Sequence, residues 1–419
     1  MTRARRKVAM VLSGGGARGA YEVGVLSYVL DTFARRRGGA PPRLDMLCGT
    51  SVGAINSCFL AAHLGDPTLG VRRLVNLWQE LRLEHVLGFG MRQAVALPRV
   101  LAGGTEGSGI FDVTPMARLI EREVPWRSIA RTLRSGALSV LAVSATEVSA
   151  GRTVLFMQTA PSAALPSVAP PRTVIRPAVI GPVHALASAA IPLLFPPVRI
   201  GRELFMDGGV RQNTPISPAL RLGATHVFVV GLSREVRTLD APAVAPTAPS
   251  AAFVVGKILN ALLLDHVQTD IEVLERVNGL LEDATKAMGE GFVDQLNRAR
   301  APTAMPYRRV ASLVVRPSED LGRLASDYVR AGKVKGGTVL TRRLFSILDV
   351  GYSTEADLAS YLLFDGGFAK TLVDLGRADA EARRHEILEF FGSAAEDHEP
   401  DASDDEGADG SMPPPRIVG

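Results

Sequence analysis

The chain has 419 residues, 47% hydrophobic and 21% charged, which excludes a disordered or collagen-like polymer and allows one large core or two smaller ones. Its two cysteines, Cys48 and Cys58, sit inside apolar segments and read as small buried hydrophobes in a reducing compartment rather than as a disulfide or a metal site. The net charge of +4 conceals an asymmetry, because the stretch from Glu396 onward holds eight acids and one arginine and leaves the remaining body at about +11, a charge drawn to anionic lipid surfaces or nucleic acid.

In chain order, a basic stretch precedes the apolar run Val8–Leu12, which is too short for a signal-peptide core. No segment supplies about 20 uninterrupted apolar residues for a membrane span, so the expectation is a soluble, cytoplasmic protein. Residues 7–13 read as a buried strand, and 19–37 as a helix with Tyr21, Val25, Tyr28 and Val29 on one face. The stretch ARRR at 34–37 reads as a solvated helix end. A second strand over 43–49 runs directly into a helix from Val52 to Leu64. A glycine-containing loop at 102–112 leads to a helix over 114–123. Strands follow at 138–148 and 152–158 around a turn at Ala150-Gly151, and another at 226–232. Strands alternating with helices predict a mostly parallel sheet covered on both faces.

The composition shifts at 240–252 to a Pro/Ala-rich linker or loop. Beyond it, Val255, Leu259, Leu262, Val267, Ile271 and Leu274 share one helical face, read as packing on the preceding domain rather than as a lipid contact. One more strand lies near 310–315, 320–392 reads as helical, and the residues from Ala394 onward read as disordered.

Two glycine motifs carry the chemistry. Residues 11–20, VLSGGGARGA, contain G-x-G-x-x-G, but a chain this rich in glycine yields ~0.4 such matches by chance. A dinucleotide loop also demands an acid about 20 residues on, after the second strand; that distance falls on arginines still in the helix. A nucleotide-binding P-loop fits worse still, because Ala20, not lysine, follows Gly19. The second motif, Gly49-Thr50-Ser51-Val52-Gly53, matches G-x-S-x-G with a strand before it and a helix after it, the frame of a nucleophile elbow. Ser51 then sits at a helix N-terminus that favours a developing oxyanion.

A serine hydroxyl needs a base at neutral pH. None of the seven histidines stands in a glycine-rich turn after a strand. A Ser-Asp-His set can still be assembled from Ser51, Asp207 and His226 or His266. The better base is Asp207, at the exposed end of a short strand and followed by Gly208 and Gly209. A second Asp-Gly-Gly at Asp365 reads as a helix break.

Taken together, LSGGGARGAYEVGVL, GTSVGAIN, ATEVSAGRTVLF, ASAAIPLLFPPV and DGGVRQNTPISPALRLGA resemble the patatin-like phospholipase family in order and spacing, over about residues 8–232. The resemblance implies an α/β fold: a three-layer α/β/α sandwich with a mostly parallel central sheet, here with a helical C-terminal extension. The expected division is a catalytic domain over 1–240, a linker over 241–252, a mostly helical region over 253–395 packed on that domain, and an acidic disordered tail over 396–419. The function implied is lipid acyl hydrolysis by a Ser51–Asp207 dyad without a catalytic histidine. An oxyanion hole is expected from Gly14, Gly15, Gly16, Ala17, Arg18 and Gly19, with Gly49, Thr50, Val52 and Gly53 shaping the elbow. Gly208, Gly209 and Asn213 are expected to support Asp207, and Arg18 to orient the glycine turn or attract a phosphate headgroup. An aspartate is a poor base unless its pKa is raised, so Asp207 is expected to be partly desolvated.

No cofactor and no metal is implied. The expected partner is a phospholipid or lysophospholipid reached by peripheral contact with the inner membrane surface, with no nucleic acid. The alternatives are a conventional Ser-His-Asp esterase or thioesterase, a lipid acyltransferase, and a membrane-associated scaffold without catalysis.

Overall fold

The computed structural model describes residues 6–36, 38–88, 109, 111–165, 172–234, 256–258, 260–261, 266–301, 305–334 and 357–392. The 240–252 segment, most of the 102–112 loop and the acidic tail lie outside the described residues.

A sheet of nine strands organises the described residues. In chain order these are β1 (Val8–Leu12), β2 (Met46–Thr50), β3 (Val140–Glu147), β4 (Arg152–Thr159), β5 (Thr173–Pro177), β6 (Val198–Ile200), β7 (Glu203–Asp207), β8 (His226–Val230) and β9 (Ala311–Val315). Across the sheet the order is β5-β4-β3-β2-β1-β8-β9, with β7 also on β3 and β6 on β7. The central strands β3, β2, β1, β8 and β9 are mutually parallel. The pairings β3–β4, β3–β7 and β6–β7 are antiparallel.

Parallel strands need cover on both faces, and side chains alternate between two cores accordingly. Met10, Leu12, Leu47 and Phe228 point into one; Ala9, Val11, Met46 and Cys48 point into the other. The first core is roofed by the helices Gly19–Ser27, Val52–His63 and Pro67–Glu80 and by C-terminal helices. The second takes Ile216 and Ala219 from the helix Ile216–Arg221, and Ile271 and Leu274 from the helix His266–Met288. The result is the three-layer α/β/α sandwich with a mostly parallel sheet. Burial pushes the Cys48 thiol up to about 12 and the Cys58 thiol higher still, so neither is reactive.

The helix after β1 departs from its sequence reading. Every residue of Gly19–Ser27 is buried, not one face alone, and Tyr28–Phe33 widens into π-helical turns. The outer face is covered by the helix Gly366–Ala382, which approaches so closely that a Cβ on Gly376 would lie 2.3 Å from the Tyr21 carbonyl oxygen. The Tyr21 hydroxyl donates to Asp379 Oδ2 at 3.0 Å, and Arg377 Nε donates to Ser27 Oγ at 2.6 Å. The second Asp-Gly-Gly begins this helix: Asp365 caps it, accepting from the Gly367 and Phe368 N–H groups at 2.9 and 3.1 Å.

Candidate active site

Open parallel sheets place ligands beyond the carboxyl ends of their strands, and three segments leave that edge together here. Leu12 is level with Gly49, so the glycine loop after β1 and the serine turn after β2 emerge side by side. Antiparallel β7 arrives from the other direction and ends with Asp207 opposite Ala145 of β3, one residue beyond the level of Thr50. The pairing of β7 with β3 is what brings Asp207 to Ser51.

Ser51 holds φ 54° and ψ −126°, a conformation that costs a non-glycine residue about 1–3 kcal/mol. Its neighbours show what enforces the turn. A Cβ on Gly49 would lie 2.4 Å from the Gly53 carbonyl oxygen, and one on Gly53 would lie 2.5 Å from that of Leu12. Only glycine lets the serine turn fold back against β1 this tightly. The Ser51 N–H donates to Ser188 Oγ at 2.8 Å, and the Ser188 hydroxyl donates to the Ser144 carbonyl at 2.6 Å. Thr50 Oγ1 donates to the Gln212 carbonyl at 3.0 Å, tying the turn to the segment after β7.

Asp207 is fully buried, not exposed at a strand end. Its Oδ1 accepts the Gly209 N–H at 2.7 Å. Oδ2 has no bond of standard geometry, although the Ser51 hydroxyl is close enough to lower the carboxyl's pKa. Desolvation outweighs both contacts and raises that pKa from 3.8 to about 7. The Gly208 N–H donates to the Ser188 carbonyl at 3.2 Å.

The glycine loop turns through a 3-10 segment, Gly16–Arg18, into the helix Gly19–Ser27. Gly16 has φ +57°, and a Cβ there would lie 2.3 Å from the Tyr361 carbonyl oxygen. Asn213 serves this loop more than Asp207: its Nδ2 donates to the Gly14 carbonyl at 3.1 Å, and its own carbonyl accepts the Gly14 N–H at 3.2 Å. Arg18 is buried, with Nε donating to Ser360 Oγ at 2.7 Å and its guanidinium 4.3 Å from the Tyr361 ring centroid. It therefore anchors the turn to the C-terminal helix Asp357–Leu362 and is not offered to a headgroup. Ala17 is buried beside it.

Below the loop lies a polar cluster that the sequence reading missed. Glu22 is completely buried and accepts from Asn56 Nδ2 at 2.9 Å, while Trp78 Nε1 donates to Asn56 Oδ1 at 3.2 Å. Burial holds the Glu22 carboxyl well above its usual range. A glutamate in an otherwise apolar helix was the available signal. Ser188 was also missed; a lone serine in the apolar run 185–195 was its only mark.

Ser51 opens onto a narrow cavity with about 80 Å³ of free space. Gly16 and Val52 border the serine, and the walls are apolar: Ile55, Trp78, Ile120, Phe195, Tyr361 and Phe364. No histidine lines it among the described residues. His226 opens β8 level with Val8, at the opposite edge of the sheet from Ser51, so it cannot complete a triad. His184 accepts the Gly181 N–H through Nδ1 and packs on Phe156. The His266 side chain lies outside the described residues. Among the described residues no group of three or more His, Cys, Asp or Glu could hold a metal ion, and no helix is long and apolar enough to cross a membrane.

No curated protein matches the chain. Among solved structures it is similar to VipD from Legionella pneumophila, at 15% identity and a TM-score of 0.31, over 88% of this chain and 67% of that one. It is also similar to the heterodimeric complex ExoU-SpcU from the type III secretion system of Pseudomonas aeruginosa, at 15% identity and a TM-score of 0.26, over 86% and 75%. Both superpositions are too loose to pair individual residues. The model of the patatin-like phospholipase family, by contrast, matches residues 10–220, half of the chain, and spans the glycine loop, the serine turn and Asp207; the chain belongs to that family.

Proposed function

We propose that the protein is a lipid acyl hydrolase in which Ser51 is the nucleophile and Asp207 its base. Membership of a phospholipase family supports a lipid ester as substrate. The observation that carries the residue assignment is the strained Ser51 at the head of an apolar cavity, beside a buried carboxyl with a pKa of about 7.

In this reading the acyl chain lies in the apolar cavity and presents its ester carbonyl to Ser51 Oγ. Asp207 accepts the hydroxyl proton as Oγ attacks, and the tetrahedral oxyanion is met by backbone N–H groups of the glycine loop near Gly15 and Gly16. The alcohol portion leaves with the proton held on Asp207, giving an acyl-enzyme. Asp207 then takes a proton from water as the water oxygen attacks the acyl carbon, and returns that proton to Ser51 Oγ as the acyl–Oγ bond breaks, which releases the fatty acid and regenerates the serine. A base with a pKa near the working pH suits both steps, since it must accept a proton and return it. A phospholipid or lysophospholipid is the proposed substrate, and the protein acts at a membrane surface without spanning it.

The test is hydrolysis of a short-chain nitrophenyl ester by wild type, Ser51→Ala and Asp207→Asn, each shown to be folded by circular dichroism. Loss in both variants supports the dyad, and full activity in Asp207→Asn overturns it. Transfer of the acyl group to an added alcohol in preference to water would instead identify an acyltransferase.

A further inference from the structure

The segment joining the cavity wall to β7 carries an arrangement that catalysis does not explain. Ile191 and Phe195 both line the cavity, and the Phe195 N–H donates to the Ile191 carbonyl at 2.8 Å, closing a turn. At its tip stands Leu193, with φ +70° and 68% exposed. The left-handed region is disfavoured for a side chain with a Cβ, and water disfavours an exposed leucine. Glycine would meet the backbone requirement better, so the leucine is not there for the turn.

The chain continues from this turn into the β6–β7 hairpin, where Arg199 and Arg202 are exposed and lack an ion-pair partner among the described residues. The register fixes where that hairpin points. Phe205 is opposite Glu147, three residues past the Ser144 level that matches Thr50, so the hairpin tip projects beyond the same sheet edge from which Ser51 emerges. One segment thus presents an apolar tip, two cations without an ion-pair partner among the described residues, and part of the cavity wall on the catalytic edge.

We infer that residues 191–202 form the docking surface for a phosphate-bearing lipid bilayer, with Leu193 entering the acyl region and Arg199 and Arg202 meeting lipid phosphates. The inference rests on the reading of the Ser51 site as lipid-directed and adds where that site meets its substrate phase. Leu193 stands between Ile191 and Phe195, which line the cavity, so its insertion would bring the acyl region of the bilayer next to the cavity wall. The cations supply the charge complementarity that holds a soluble body at an anionic surface.

The experiment is co-sedimentation with vesicles of phosphatidylcholine alone, or with a third phosphatidylglycerol, in a Ser51→Ala background so that binding is read without turnover. Leu193→Gly is expected to weaken binding to both vesicles about tenfold. The Arg199→Gln/Arg202→Gln double variant is expected to weaken binding to the anionic vesicles by at least about fivefold, with little effect on the neutral ones. Leu193→Gly is also expected to leave the Tm unchanged or raised, because the strained φ is relieved; a leucine serving the fold would lower it. Undiminished binding by Leu193→Gly, or a lowered Tm, overturns the inference. Since Ser51→Ala removes the nucleophile from every sample, these outcomes are independent of whether Ser51 performs the chemistry.

Discussion

Replacing Asp207 by asparagine should make the protein more stable and inactive at once. The side chain is fully buried, and its pKa of about 7 against an ordinary 3.8 means that burial opposes the charged form. A carboxyl with a raised folded-state pKa is stabilising relative to its charged form only at low pH. That advantage is whole below about 3.8 and is lost as the pH rises through 7. At pH 8 the ionised group therefore costs the fold roughly 4 kcal/mol, from a shift of about three units at 1.36 kcal/mol each. Asparagine keeps the shape and can accept the Gly209 N–H through Oδ1, while its Nδ2 replaces an oxygen with no standard hydrogen bond. The expected result is a Tm several degrees above wild type at pH 8, with the gap narrowing as pH falls and closing near pH 4. Turnover of a short ester should fall by about 10²–10⁴ in the same variant. An Asp207→Asn protein melting no higher than wild type at pH 8 would refute the buried-charge argument.

Three further outcomes follow from the same geometry. Wild-type kcat/KM on a neutral ester should rise with pH through about 7 and then level, as Asp207 loses its proton; a profile flat from pH 5 to 9 would remove Asp207 as the base. Gly16→Ala forces a Cβ to within 2.3 Å of the Tyr361 carbonyl at a φ of +57°, so kcat should drop by about tenfold or more while unfolding measurements show a modest loss. Ile120→Trp fills part of the cavity and should shift preference toward short acyl chains, read as the ratio of kcat/KM for long and short nitrophenyl esters.

Local physics made the serine turn and the glycine loop visible in the chain alone. Gly49 and Gly53 flank a serine between a strand and a helix because backbone contacts of about 2.5 Å leave no room for a Cβ: for Gly49 with Gly53 four residues on, for Gly53 with Leu12 at the end of β1. Asp207 was identifiable for a related reason, as the last residue of a short strand ahead of two glycines. Its complete burial was not, because it depends on β7 lying antiparallel on β3, a pairing across about sixty residues of chain. Ser188 and Arg18 were opaque in the same way. Ser188 acquires its meaning from the Ser51 N–H, and Arg18 from Ser360 and Tyr361 at the far end of the sequence. The helix over Gly19–Ser27 looked one-sided because its second partner, the helix Gly366–Ala382, lies more than three hundred residues on.

The central claim is that Ser51 is made nucleophilic by Asp207. It is tested most directly by the pH dependence of fluorophosphonate labelling, with the modified residue located by peptide mass spectrometry. One adduct is expected, on Ser51, forming at a rate that rises through about pH 7 in wild type and is slow and flat in Asp207→Asn. An adduct on another residue, or a Ser51 labelling rate unaffected by Asp207→Asn, would contradict it.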